Sequence, residues 1–249
     1  MRVQIASAST RVARWRGQLL DLLFPTRCVS CQRPGESFCA RCRSQIRFVT
    51  PPFCNRCNHP LRTPGDACPQ CRRYPLRITQ LRAVAYHEGE LRAAIHAYKY
   101  QRRTDLAIPL AALLHQYVQD APLPIDVVAA VPLAAERLRQ RGYNQAELLA
   151  RELASHLSLP YRSGLDRIRA TADQVGLDAR ARRANVQAAF TAAPSAWQGR
   201  RVLLVDDVCT TGATLDECAG ALLAQGATSV YGLAVARPRH PYNGLPPTT

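Results

Sequence analysis

Apolar and polar residues follow two regimes along this chain, and the change falls near residue 80. Beyond it, short apolar runs alternate with longer segments of helical period. Ala83–His87 predicts a strand, and Glu90–Tyr100 and Leu106–Gln119 predict helices. After the break Ala121-Pro122-Leu123-Pro124, Asp126–Val131 predicts a buried strand ended by Pro132. Gln145–Leu157 predicts a strong helix and Tyr161–Ile168 a further strand. Ala170–Val186 is polar, lacks a clear period, and reads as a mobile loop grading into helix. Arg201–Val205 and Ser229–Ala236 predict the last two strands, separated by a helix over Thr214–Gln225. This alternation predicts an α/β domain over residues 81–238, with a parallel sheet covered by helices on both faces. Ligands of such sheets bind at the C-terminal ends of the strands, where Pro132 and Asp206 fall.

The first 80 residues have no such alternation. Residues 1–9 are small and polar and read as disordered. Residues 10–24 predict an amphipathic helix, with Val12, Trp15, Leu19, Leu22 and Leu23 mainly on one side. Together they form a unit over residues 1–23. The helix suits docking on the rest of the chain better than a membrane surface. A small module spans residues 24–75, halved by Pro51-Pro52 and left through Tyr74-Pro75. Residues 239–249 form a proline-rich tail. No stretch of about 18 apolar residues occurs, so no membrane span is expected.

Eight of the ten cysteines lie in that module, in four C-x-x-C pairs. They are Cys28/Cys31, Cys39/Cys42, Cys54/Cys57 and Cys68/Cys71. Each pair can form a knuckle offering two thiolates to one metal, and two knuckles complete a tetrahedral site. A sequential assignment puts Cys28, Cys31, Cys39 and Cys42 on one Zn²⁺ and Cys54, Cys57, Cys68 and Cys71 on a second. An interleaved assignment fits the spacing too. Nothing resembles a secretory signal, which argues against disulfides. A redox C-x-x-C needs one pair rather than four, and iron is the competing metal. Four thiolates per ion leave no open position, so both sites are expected to be structural. His59 reads as a loop residue, Cys209 as a loop thiol and Cys218 as a buried helix residue.

Charge adds a second feature. The 249 residues carry a formal net charge of +15, and Lys99 is the only lysine. Residues 1–80 hold 14 arginines against 3 acids, a surplus that two Zn(Cys)₄ sites would reduce without cancelling. A basic zinc module suggests contact with nucleic-acid phosphates, set against a plain solvated surface. Aromatics there for base stacking are few: Phe38, Phe48, Phe53 and Tyr74.

The most specific run is Val202-Leu203-Leu204-Val205-Asp206-Asp207-Val208-Cys209-Thr210-Thr211-Gly212-Ala213-Thr214. A buried strand places two carboxylates at its end, and a Thr- and Gly-rich loop leads straight into a helix. Backbone N–H groups at a helix N-terminus, with hydroxyls of Thr210, Thr211 and Thr214, favour a phosphate. Gly212 permits close approach of the backbone. The carboxylates repel phosphate, so they face hydroxyls or a metal. Ribose 5-phosphate or its activated diphosphate fits both ends. In the run Pro132–Gln145, Arg137 and Arg141 can grip diphosphate oxygens bidentately, and Asn144 caps the next helix, with Glu147 three residues on.

The run Val202–Thr214 resembles the signature of type I phosphoribosyltransferases. Three further stretches extend the likeness, together with the four knuckles: Tyr98-Lys99-Tyr100, Arg141-Gly142-Tyr143-Asn144-Gln145, and Gln174 with Arg183 and Asn185 up to Phe190. The whole pattern resembles the ComF/GntX family, a double zinc ribbon joined to a phosphoribosyltransferase-like domain. The resemblance implies that Asp206 and Asp207 hold the ribose hydroxyls as the catalytic acids. It implies that Thr210, Thr211, Gly212, Ala213 and Thr214 cradle the 5′-phosphate, and that Arg137 and Arg141 contact the diphosphate of phosphoribosyl diphosphate with Mg²⁺. A loop over Arg167–Arg183 would close on the site, its cation supplied by Arg167, Arg169, Arg180, Arg182 or Arg183. The zinc module and the Lys99 region stand where related enzymes carry the hood that recognises the acceptor base. The family association is bacterial, cytoplasmic and linked to natural competence: handling of single-stranded DNA beside a helicase-like partner, use of DNA as nutrient, or gluconate-related genes. The fold also serves regulators that bind nucleotides without transfer, so activity does not follow from it.

Overall fold

The computed structural model describes residues 25–61, 63, 67–169 and 188–239. The helix expected over 10–24, the loop expected over 170–186 and the tail from 240 lie outside these residues.

Four parallel strands form the core sheet, in the order β1-β6-β5-β2. These are β1 (Gln80–Tyr86), β2 (Val127–Ala130), β5 (Arg201–Val208) and β6 (Ser229–Arg237). Val202 to Val205 and Val127 to Ala130 are each buried without interruption. Successive strand residues point to opposite faces, so an unbroken buried run means that both faces are covered. Helices α3 (Gly89–Tyr100) and α4 (Ala107–Asp120) follow β1 and are separated by a 3₁₀ turn at Thr104–Leu106. α4 packs on α6 (Gln145–Leu157), while α7 (Ala213–Ala224) crosses from β5 to β6.

Four elements depart from the sequence reading. β5 continues past Val205 through the acidic pair to Val208, because its ladder with β6 persists to the Val208–Ala236 pairing. The expected strand Tyr161–Ile168 is divided. Tyr161 makes a parallel bridge to Val128, then Gly164, at φ +102°, turns the chain away. β3 (Leu165–Arg167) pairs antiparallel with an unanticipated β4 (Phe190–Ala192). The basic stretch before Asn144 is a short helix, α5 (Ala135–Arg141), closed by Gly142 at φ +83°.

The cysteine-rich module holds two single-turn helices, α1 (Ala40–Arg43) and α2 (Pro69–Arg73). It covers the β1 edge, which would otherwise present unpaired backbone groups. Val49 N donates to Val84 O (3.0 Å), Tyr86 N to Arg47 O (2.8 Å) and Leu81 N to Arg56 O (2.8 Å). The passage between module and sheet is pinned by Asp216 of α7. Its carboxylate accepts from the backbone N–H groups of Arg77 (2.6 Å) and Ile78 (3.1 Å).

Candidate functional site

The C-terminal ends of β2 and β5 open into a cavity of about 380 Å³. Its lining brings Asp206, Asp207, Thr210 and Thr214 together with Lys99, Arg137, Arg141 and Arg167. Residues some 100 positions apart in the chain meet here because β2 lies beside β5 in the sheet.

Three ties hold the cationic side in place. Tyr98 is fully buried, and its hydroxyl donates to Gln145 O at 2.8 Å. The Tyr143 hydroxyl donates back to Tyr98 O. Asn144 accepts from Ala146 N (3.1 Å) as the cap of α6 and donates to Val131 O (3.0 Å) at the end of β2. The last turn of α3 is thereby fastened to the start of α6. Lys99 Nζ then reaches Asp207 Oδ1 at 2.8 Å. Arg141 donates to Gln145 Oε1 (2.9 Å) and stacks over the Tyr100 ring (5.0 Å).

The carboxylate side is electrostatically tense. Burial first, then the neighbouring Asp207 charge, push the Asp206 carboxyl up to about 7, against the pull of Lys99. One Asp206 oxygen accepts from Asp207 N at 2.8 Å. Burial, followed by the nearby Arg137 charge, lowers the Arg167 guanidinium from its ordinary range.

Of the five loop residues singled out by sequence, Thr210 and Thr214 line the cavity. Thr211 is buried, and its hydroxyl accepts from Ala213 N (3.2 Å), so it shapes the loop from within. Gly212 caps α7 at φ +79°, and Ala213 is buried as its first residue. A Cβ at Gly212 would lie 2.6 Å from Leu81 Cδ2, so β1 presses on the loop. Lys99 was not among the sequence-selected ligand residues. Two signals mark it: the Tyr98-Lys99-Tyr100 stretch, and its being the one lysine among 33 basic side chains. No residue of the cysteine-rich module lines this cavity among the described residues; the Lys99 region does.

The cysteines pair sequentially. Cys28, Cys31, Cys39 and Cys42 form one cluster and Cys54, Cys57, Cys68 and Cys71 the other, with the sulfurs of each within 4.8 Å of one another. The interleaved assignment is thereby excluded, and His59 belongs to neither cluster. Backbone N–H groups point at the sulfurs, from Cys39 to Cys28 (3.5 Å) and from Cys68 to Cys54 (3.2 Å). Four sulfurs with amide donors around them fit a closed tetrahedral Zn²⁺ site. Among the candidate stacking residues, Phe38 is fully buried and Phe53 lies under Arg82 (5.1 Å), leaving Phe48 and Tyr74 exposed. Cys209 and Cys218 are both buried.

Comparison with known proteins follows the same division. The double zinc ribbon domain matches residues 19–72, and the phosphoribosyl transferase domain matches residues 102–243. DNA utilization protein YhgH of Salmonella typhi is 36% identical over 220 residues, covering 84% of this chain and 96% of that protein. Competence protein F of Haemophilus influenzae is 33% identical over 228 residues, covering 86% and 98%. Competence protein ComFC of Bacillus subtilis is 27% identical over 215 residues, covering 82% and 86%. Among the described residues no helix is long and apolar enough to cross a membrane. With both domains matched and relatives of this similarity along nearly their whole length, the chain belongs to the ComF/GntX family of double zinc ribbon proteins with a phosphoribosyltransferase-type domain.

Proposed function

We propose that this protein binds phosphoribosyl diphosphate, or a ribose 5-phosphate moiety, and acts in the uptake and handling of single-stranded DNA during natural competence. The observation that carries the pocket half is the convergence of two acids, a Thr-rich helix N-terminus and four cations in one cavity. Thr210 and Thr214 hold the 5′-phosphate at the start of α7, in the loop that Thr211, Gly212 and Ala213 shape. Asp206 and Asp207 take the ribose hydroxyls, and Lys99, Arg137 and Arg141 take the diphosphate. Mg²⁺ arriving with the diphosphate would neutralise charge on the leaving group. Arg167, at the end of β3 and near the Arg137 charge, lines the cavity where the stretch that would supply the loop cation begins.

The DNA half rests on relatives named for competence and for DNA utilization, and on the arginine surplus of residues 1–80. A cytoplasmic location and a helicase-like partner complete this reading. A second reading, transfer of the ribosyl group, is favoured by the Lys99–Asp207 pair facing the cavity. An acceptor lone pair bonds to C1 of the 5-phosphoribosyl group while the C1–O bond breaks, pyrophosphate departs with the electron pair, and the acceptor's proton passes to solvent.

Calorimetric titration of the metal-loaded protein with phosphoribosyl diphosphate and Mg²⁺ tests the pocket. Binding that Asp206→Ala/Asp207→Ala loses supports the assignment, and silence from the unaltered protein removes it. Single-stranded DNA binding that weakens steeply with salt and vanishes on metal removal supports the DNA half; no binding at low salt sinks it. Pyrophosphate release with a nucleobase, lost in Asp207→Ala, would establish transfer.

A further inference from the structure

We infer that the second cysteine cluster is the support of the Thr210–Thr214 loop, with Arg237 as the positioning residue between them. The order of the loop then depends on metal at Cys54, Cys57, Cys68 and Cys71, and not on metal at Cys28, Cys31, Cys39 and Cys42.

The knuckle Cys54-Asn55-Arg56-Cys57 faces the sheet, and three of its backbone carbonyls accept from the core. Asn55 O accepts from Arg82 Nη1 (3.0 Å), Arg56 O from Leu81 N (2.8 Å) and Cys57 O from Arg237 Nη1 (3.0 Å). The next residue, Asn58, is almost fully buried and accepts from Ala83 N (2.9 Å) through its side chain. Arg82 and Arg237 are themselves buried, and among the described residues no carboxylate pairs with either. A buried guanidinium without a counter-charge is costly. The anion at hand is the cluster: four thiolates on one divalent ion retain net negative charge. Burial lowers the Arg82 guanidinium, and the Tyr117 hydroxyl first, then Cys54 and Cys57, pull against that.

Two short routes lead from these contacts to the loop. Leu81, held by Arg56 O, presses its side chain on Gly212. Arg237, held by Cys57 O, follows Ala236, whose carbonyl accepts from Cys209 N (2.9 Å), one residue before Thr210. The segment after the first cluster meets β1 further along, at Val84 and Tyr86, through Val49 and Arg47. Beside that cluster, Arg27 O accepts from Arg103 (3.3 Å) in the connection after α3.

Hydrogen exchange of the full chain, followed by mass spectrometry, tests this without any ligand. Metal content is measured alongside for Cys39→Ser, Cys71→Ser, Arg237→Gln and Arg237→Lys. The expected result is exchange about tenfold faster across Cys209–Ala213 in Cys71→Ser and in Arg237→Gln, with both metals retained in the latter. Arg237→Lys, which keeps a cationic donor, recovers most of the protection, and Cys39→Ser leaves this segment unchanged. Wild-type protection in metal-replete Arg237→Gln overturns the inference even if Cys71→Ser does not fold, and so does equal loosening by Cys39→Ser. The consequence for ligand affinity rests on the phosphosugar reading. A wild-type protein that ignores phosphoribosyl diphosphate would end that reading while leaving the exchange result to decide this one.

Discussion

Lys99 Nζ sits 2.8 Å from Asp207 Oδ1, so the only lysine of the chain is paired with the second acid of the β5 motif. The pair is largely buried, with 20% and 10% of the two side chains exposed. Lys99 also offsets the repulsion between Asp206 and Asp207. Lys99→Met leaves two adjacent carboxyls with less counter-charge. It should lower stability at pH 8 by about 1.5–3 kcal/mol, the range for a hydrogen bond to a charged group. Urea denaturation at pH 8 and pH 5 checks this, and the deficit should shrink at pH 5, where Asp206 takes up its proton. Equal deficits at both values would mean that packing, and not charge, is what Lys99 supplies.

Asp206 gives the opposite sign. Its carboxyl is raised to about 7 in the folded chain, above its ordinary value of 3.8. Between these values the folded state binds more protons than the unfolded one, so stability falls as pH rises through the window. Asp206→Asn removes that charge. The melting temperature should rise by about 2–4 °C at pH 8, with the gain fading as the pH approaches 4. The same variant should bind phosphoribosyl diphosphate more weakly, the trade expected where a site holds charge against its own stability. A variant less stable than wild type at pH 8 would contradict the buried-charge account.

Gly212 combines two constraints, a φ of +79° and the contact with Leu81. Gly212→Ala should cost about 1–2 kcal/mol from the left-handed conformation alone. It should also displace the loop and weaken ligand binding about tenfold, a further 1.4 kcal/mol. Gly199→Ala is the control. That glycine has φ +69° with nothing within 4 Å of the added Cβ, and it lies outside the cavity. It should show only the left-handed part of the stability loss while keeping wild-type affinity by calorimetry.

The cysteine geometry sets a stoichiometry. Elemental analysis should find two zinc ions per chain, falling to one in either Cys39→Ser or Cys71→Ser. An interleaved arrangement would tie the two sites together. Strong chelation should lower the melting temperature, because binding energy at closed sites is folding energy.

Much of this protein is local, and the local part was legible in residue order. Strands and helices follow from periods of two and 3.6 residues, and Gln145–Leu157 appears with the bounds its apolar pattern predicts. The knuckles follow from C-x-x-C spacing. The strand–acid–Thr–Gly run declares a turn at a helix N-terminus because all its groups lie within one short segment. The antiparallel β4 was missed, since a strand of three residues has too few positions to show a period.

What tertiary structure alone decided is who meets whom. The order β1-β6-β5-β2 sets the end of α3 over β5, so Lys99 finds Asp207 across more than a hundred residues. Sulfur proximity chose the sequential pairing over the interleaved one. Arg82 and Arg237 look like ordinary arginines of a basic chain, yet the fold buries both, Arg82 on the edge strand β1 and Arg237 at the end of β6, against the second knuckle. Charge pairing and burial are properties of the packed sheet, set by separations in space that the spacing of residues along a chain does not encode.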